Sequence, residues 1–431
     1  MITDSLTTQN NSPGDTSPLS LRTIISHNTL KSGVQEQACY VLLDISPNRD
    51  LPTSRLPLNL CLVLDKSTSM QGLRLQQVKE ATHQIIDYLQ PNDTFSLVVF
   101  SDRAEVLLPG QKNIDKPLAK SVVSTTQPSG GTEMLQGLLA GLKEIQGNRS
   151  DDSVNHMILL TDGQTYGDED DCLAQAEWAG RSQVSISTMG IGADWNEDLL
   201  DAMANASGGV STYIDFPRKI VDAFKATITE LSTIVAREII LTVTPSEGLT
   251  LQEAFQITPH IRRLDISGSK AILGPLGNTG RKTIVMEFRI KTIPESGVKR
   301  LARFTVEGDV PTQAKQQSWA WTEVKATISS DAEVPPSIPP VIITTLGKLA
   351  IFKMQEKAME DLEKGNIIAA TSRLETMATR LLNLGETELA RAALLEAGRL
   401  SRTGNLSAEG KKKIRYGTRS LSILPKEIQH D

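Results

Sequence analysis

The chain has 431 residues, 39% of them hydrophobic and 22% charged, with a formal net charge of −6. That length exceeds a single hydrophobic core and implies several domains, while the acidic balance argues against a chain-wide basic field for nucleic acid or anionic membranes. Three cysteines (Cys39, Cys61, Cys172) with no CxxC spacing argue against a disulfide frame or a cysteine zinc site.

Residues 1–20 are polar and rich in Ser, Thr, Asn and Pro, without the basic start and apolar middle of a signal peptide, and read as a disordered tail. No apolar run approaches the roughly 18 residues that span a bilayer. The expected location is therefore cytoplasmic. Residues 21–56 hold two strand candidates, 21–30 and 37–45, the second with Cys39, Val41 and Leu43 alternating. Two strands do not make a stable sheet, so they are expected to join a β-sandwich formed further along.

Residues 57–235 alternate strand and helix. The run Leu58-Asn59-Leu60-Cys61-Leu62-Val63-Leu64 ends abruptly in Asp65, the pattern of a strand buried on both faces of a parallel sheet. Leu75, Val78, Thr82, Ile85, Ile86 and Leu89 mark one helical face, followed by a strand at 94–101. Leu135, Leu138, Leu139 and Leu142 form a second helical stripe. Met157-Ile158-Leu159-Leu160 is another buried strand, closing on Thr161-Asp162-Gly163. A helix at 170–180, a strand at 184–189 closing on Gly190-Ile191-Gly192, and two more helices complete the unit, the last with Ile220, Phe224, Ile228 and Leu231 on one side. Repeated strand–helix units specify an α/β fold, a doubly wound, mostly parallel sheet.

Residues 236–330 lose the helical period. Strands are predicted at 238–244, 249–257, 261–266, 282–291, 300–307 and 317–328, with hairpin turn signals between several of them; an antiparallel β-sandwich follows. The clearest alternation is Ile284, Met286, Phe288 and Ile290. Residues 331–345 form a proline-rich linker, and 346–431 a C-terminal α-helical domain of short helices with Ala and Leu stripes, better read as a plain bundle than as a 34-residue repeat. Its basic cluster, Lys411, Lys412, Lys413, Arg415 and Arg419, reads as a solvated helix face.

Three separated pieces converge at the carboxyl edge of a doubly wound sheet, where such folds bind ligands. They are Asp65-x-Ser67-x-Ser69, the turn Gly130-Gly131-Thr132 before a helix, and Asp162. Hydroxyl and carboxylate oxygens are what a hard divalent cation requires, and Mg²⁺ keeps open positions for water or an outside ligand. The competing reading of Asp65, Ser67 and Ser69 alone is a helix N-cap. Other motifs carry less. Residues 168–171 (Asp-Glu-Asp-Asp) lack a calcium-loop pattern and read as first-turn carboxylates on a helix dipole. Gly190-x-Gly192 is too short for a nucleotide fingerprint, and His156 reads as a structural core histidine.

In this order, on these elements, Asp65, Ser67, Ser69, Thr132 and Asp162 resemble the metal-ion-dependent adhesion site of von Willebrand factor type A domains, over about residues 58–235. The resemblance implies Ser67, Ser69 and Thr132 as direct ligands, Asp65 and Asp162 binding beside or behind them, and Mg²⁺ (or Mn²⁺) as the ion. Thr68 replaces the family's usual glycine, and Lys66 adds a nearby cation able to weaken metal affinity or attract an acidic partner. The wider order of domains is similar to inter-alpha-trypsin inhibitor heavy chains and to bacterial cytoplasmic type A proteins. The expectation is a non-catalytic, metal-dependent protein-binding scaffold that grips a partner's Asp or Glu. The alternatives are an RNA-binding scaffold similar to Ro-like proteins, resting on the basic cluster, and a metal-dependent hydrolase, for which no general base is placed.

Overall fold

The computed structural model describes residues 7–9, 17–33, 36–48, 55–150, 152–266, 269–291, 296–310, 318–330 and 338–421. Its central sheet has six strands in the order Ser211–Ile214, Val184–Ile191, Val154–Thr161, Leu58–Asp65, Thr94–Phe100 and Ala104–Lys112. The first five run parallel and the sixth pairs antiparallel at the edge. Leu58–Asp65 and Val154–Thr161 are buried at every position, which is what their largely apolar runs require, and Asn59 and Asn155 meet each other by a side-chain hydrogen bond at 2.9 Å.

Helices cover both faces. Helices α1 (Leu73–Tyr88), α2 (Lys116–Thr125) and α6 (Ile220–Ser232) pack on one side, through Val78, Ile85, Val123, Phe224 and Ile228. Helices α3 (Met134–Gly147), α4 (Glu169–Arg181) and α5 (Glu197–Ser207) pack on the other, through Leu138, Leu142, Cys172, Leu200 and Met203. At Gly141 the α3 backbone lies so close to the sheet that any Cβ would collide with Val63 and Met157. The chain leaves Leu58–Asp65 toward Thr94–Phe100 and later returns to pair Val154–Thr161 on its other side. The direction of winding therefore reverses between Leu58–Asp65 and Val154–Thr161, and a crevice opens at their carboxyl ends.

The strands flanking this domain do combine into a sandwich. One sheet orders Thr7–Gln9, Leu19–Ile25, Glu36–Pro47, Lys282–Lys291, Leu249–Gln256 and Arg262–Arg263; the other orders Lys270–Gly277, Ile234–Pro245, Gly297–Gly308, Ser318–Ser329 and Thr29–Lys31. Ile284, Met286, Phe288 and Ile290 point into the sandwich core with Val41 and Phe304. Val285, on the opposite face, packs with Leu42, Phe255 and Phe352 against the C-terminal helices. The α/β domain is thus inserted between strands of the sandwich.

Several boundaries differ from expectation for local reasons. The 21–30 strand breaks after Ile25, and its second half, Thr29–Lys31, crosses to the other sheet and pairs parallel with Ser318–Ser329. Thr7–Gln9, inside the expected tail, pairs with Leu19–Ile25. The strand expected at 261–266 shrinks to Arg262–Arg263. Lys270–Gly277 escaped notice because Gly274-Pro275 interrupts its pattern, and the edge strand Ala104–Lys112 because it is mostly exposed and contains Pro109 and Gly110.

The helical domain comprises α7 (Pro340–Glu363), α8 (Ile367–Asn383), α9 (Thr387–Thr403) and α10 (Ala408–Arg419). Residues 340–345, expected as linker, are helical, because proline at a first helical turn loses no hydrogen bond; residues 331–337 lie outside the described residues. No described helix is long and apolar enough to cross a membrane.

Apart from Lys413, which is exposed, the basic cluster on α10 is not a solvated face. It docks on an acidic face of α5. Lys411 and Lys412 reach Glu197 at 2.7 and 2.5 Å, Arg415 reaches Asp198 and Asp201 at 2.5 and 2.6 Å, and Arg419 grips both Asp201 oxygens at 2.6 Å. The Lys412 side chain is 3% exposed, its ammonium 4.7 Å from the centre of the Trp195 ring. Burial works to raise the Glu197 carboxyl, but hydrogen bonds from Lys411 and Lys412 outweigh it and hold the group down at about 2. Asp201 is also buried, yet its bonds and charge pairing with Arg419 and Arg415 hold it below its ordinary value. Acids held low in the folded state stabilise it above their unfolded values and lose that contribution as pH falls through the folded ones. Urea unfolding followed by Trp fluorescence should therefore show a midpoint falling as pH drops from about 4.5 toward 2. Asp201→Asn should lower stability by about 3 kcal/mol at pH 7 and flatten that acid dependence.

Candidate metal centre

Asp65 ends its strand inside the sheet, fully buried. One carboxylate oxygen accepts the Ser67 backbone N–H at 2.7 Å, which bends the chain sharply off the strand; the other accepts the Thr161 hydroxyl from the neighbouring strand at 2.6 Å. The bend turns Ser67 and Ser69 toward each other, their Oγ atoms 2.9 Å apart. Ser69 Oγ then donates to Asp162 Oδ1 at 2.7 Å. Two strand ends are in this way linked through one short loop.

The third piece arrives on the loop before α3. The Thr68 N–H and hydroxyl both donate to the Gly130 carbonyl, at 3.1 and 3.0 Å, and the Ser129 N–H donates to the Lys66 carbonyl at 2.7 Å. Gly130 has φ of +75°, and a Cβ there would collide with the Asp102 carboxylate, so the turn demands glycine. Thr132 Oγ1 lies against Gly163, at 2.9 Å from where a Cβ would stand, and has no hydrogen-bond partner among the described residues. Asp65, Ser67 and Asp162 are buried, Thr132 is half-buried, and Ser69 is exposed. The result is a shallow crevice with hydroxyls at its mouth and two carboxylates beneath.

All five residues singled out from the sequence come to this edge. Lys66 does not: its ammonium turns to Glu105 on the edge strand at 3.3 Å. Three contributors were missed. Thr161 supports Asp65, Asp102 anchors the glycine turn by accepting the Gly131 N–H at 2.7 Å, and Arg74 pairs with the buried Asp162 carboxylate while donating to the Ser69 carbonyl at 3.3 Å. Asp102 had a signal available, since like Asp65 it sits just past a fully buried strand. Arg74 had none, because it is a lone half-buried polar residue in the first turn of α1, flanking the Val78 and Ala81 face, and nothing in the local pattern marks its partner at the end of a distant strand.

The donors suit a hard cation. No group of three or more His, Cys, Asp or Glu able to hold a metal occurs among the described residues, so any ion here relies on hydroxyls. Ser67, Ser69 and Thr132 offer neutral oxygens, and Asp65 and Asp162 offer charge. Burial pushes the Asp65 carboxyl up to about 6, against the lowering effect of its Ser67 and Thr161 hydrogen bonds, and the Asp162 charge pushes the same way. Arg74 supplies a tethered positive charge on the Asp162 side.

Residues 59–225 match the family model of the von Willebrand factor type A domain, and residues 340–423 match that of the Sll0103-like, C-terminal alpha-helical domain. Protein sll0103 of Synechocystis sp. is 27% identical over 416 residues, covering 94% of this chain and 98% of its own length. Inter-alpha-trypsin inhibitor heavy chain H4 of Homo sapiens is 28% identical over 276 residues, which are 60% of this chain and 26% of that one, so the match spans about a quarter of the heavy chain. A solved structure of von Willebrand factor type A from Catenulispora acidiphila superposes with a TM-score of 0.74 at 18% identity, covering 96% of this chain and 99% of that one. The shared fold thus extends through the sandwich and helices.

An acid whose folded value is raised costs stability once pH rises above its unfolded value, from about 3.8 up to about 6, and the cost persists beyond. With chelator present, Asp65→Asn should melt no lower than the parent protein at pH 7.5, because its amide keeps the Ser67 bond and Thr161 can turn to donate to the Gly163 carbonyl at 3.3 Å. The difference should shrink or reverse by pH 5. A variant that melts far lower at pH 7.5 would contradict this account of the Asp65 site.

Proposed function

For a chain that carries a von Willebrand factor type A domain and an Sll0103-like helical domain, we propose the role of a non-catalytic module that binds a protein partner through a divalent cation. Ser67, Ser69 and Thr132 would hold the ion directly, with Asp65 and Asp162 beside or behind them. Bound there, Mg²⁺ or Mn²⁺ would supply a hard Lewis acid able to accept an Asp or Glu carboxylate from outside. The observation that carries this reading is the continuous run of oxygens from Ser67 through Ser69 to Asp162, with the Thr132 hydroxyl, unpartnered among the described residues, set against Gly163 next to Asp162. The chain's own contribution is to hold these oxygens rigidly: the Asp65 carboxylate fixes the loop, and the Gly130 turn fixes Thr132.

A hydrolytic role would need a general base beside the ion. His156, the core histidine, is buried and bonded through Nε2 to Ser187 Oγ at 3.0 Å, well inside the sheet. The RNA-binding alternative loses its basic segment to the α5 contact. A reducing, cytoplasmic setting accords with three free, buried cysteines.

Isothermal titration with Mg²⁺ tests the assignment. The parent protein should bind one ion, with Asp65→Asn and Ser69→Ala losing that binding; unchanged binding in both would remove the metal site. At a hundredfold excess over Kd the ion should add about 2.7 kcal/mol of stability to the parent protein and none to those variants. Arg74→Gln, which removes the tethered cation from Asp162, should bind Mg²⁺ several-fold more tightly.

A further inference from the structure

At the opposite, amino-terminal edge of the central sheet lies a second concentration of charge. Two adjoining cavities of about 130 and 240 Å³ open where the α/β domain, the sandwich and α10 meet. Both are lined by Gly208, Gly209, Val210, Thr212, His260 and Lys282; Arg262 and Arg419 line the first and Glu230 the second. Lys282 begins a central strand of the sandwich, 6% exposed. Its ammonium has no hydrogen bond or ion pair among the described residues. The preceding residue, Arg281, takes the available carboxylate, Asp44, at 3.2 Å. Glu230, on the exposed side of α6, acts on Lys282 only from beyond ion-pair distance.

Arg262 adds to the same field without a carboxylate of its own. Its guanidinium donates to the Gln256 side chain at 3.0 Å, to the Ile272 carbonyl at 3.0 Å and to Asn205 at 3.4 Å. Arg419, also on the cavity wall, is held by Asp201, which it shares with Arg415, itself paired with Asp198 as well. A buried, unpaired ammonium is strongly unfavourable unless a partner arrives to neutralise it. A water takes about 30 Å³, so these cavities hold a group several times that size.

We propose that Lys282 and Arg262 form a binding site for a tetrahedral oxyanion, a phosphate group either free or on a small ester, with Arg419 adding to the positive field and the His260 imidazole lining the cavity as a neutral hydrogen-bonding group. The same burial that lowers the Lys282 ammonium to about 8 is what an arriving anion reverses. Because the cavity draws its walls from all three units, the bound anion would also fasten them together. This site is separate from the metal centre and does not depend on it.

Protein dialysed free of phosphate and titrated with inorganic phosphate, in parallel with glycerol phosphate, tests the proposal by calorimetry and melting temperature. Both probes should raise the melting temperature of the parent protein, and the tighter of the two identifies free anion or ester as the natural occupant. Lys282→Met should melt higher than the parent without anion, having shed an unpaired buried charge, and should bind either probe at least tenfold more weakly. Arg262→Gln should weaken binding in the same direction, providing the answer if Lys282→Met does not fold. Lys357→Met, on the exposed side of α7, should bind as the parent does. A parent protein that neither binds nor is stabilised by either probe, or a folded Lys282→Met that retains full affinity, overturns the proposal.

Discussion

A carboxylate at the end of a strand buried on both faces must be satisfied by its immediate surroundings, and much of the candidate site's geometry answers to that demand at Asp65. The backbone turns back on itself to present the Ser67 N–H, and the adjacent strand presents Thr161. Those two bonds decide where the loop goes, and the loop decides where Ser67 and Ser69 stand. The same carboxylate that shapes the crevice is destabilised by its burial, so the site is built with a standing appetite for positive charge.

Arg74 meets part of that appetite from within. Its pairing with Asp162 shows how charge in such a crevice is balanced by the chain itself, the Asp162 carboxylate being shared between the Arg74 guanidinium and the Ser69 hydroxyl. α5 follows the same logic at larger scale. Its acidic face, Glu197, Asp198 and Asp201, is matched by α10, so the helical domain is held to the α/β domain by buried and half-buried ion pairs as well as by apolar contact. Opposite charges placed on distant segments specify which surfaces meet.

The doubly wound sheet and the five oxygen-bearing residues were legible in the sequence because both rest on local pattern. A largely apolar run ending in Asp65 can be read without knowing its neighbours, and so can the Met157–Leu160 run that ends in Thr161-Asp162. What could not be read were features decided by tertiary contact. Lys411, Lys412, Arg415 and Arg419 look like a solvated face until an acidic partner helix is placed against them. Arg74 looks like one polar residue among many on α1. The strand Lys270–Gly277 is masked by Gly274, which adopts φ of +77° where its backbone abuts Gly208. The break after Ile25 depends on a second sheet supplied hundreds of positions later.

That late supply has a consequence for how the molecule comes into being. The strand Glu36–Pro47 pairs early with Leu19–Ile25 but finds its partner on the other edge only at Lys282–Lys291; the Thr283 hydroxyl bonds the Asp44 carboxylate across a separation of 239 positions. During synthesis the amino-terminal pair of strands must therefore wait, with one edge and its apolar face uncovered, while the entire α/β domain emerges and folds before the next strand arrives. Once both halves are present, the inserted domain is tethered at its two ends to the same sandwich. Closing that loop is far easier after the domain has folded and brought its ends together. The inserted α/β domain thus acts as the internal scaffold on which the rest is completed.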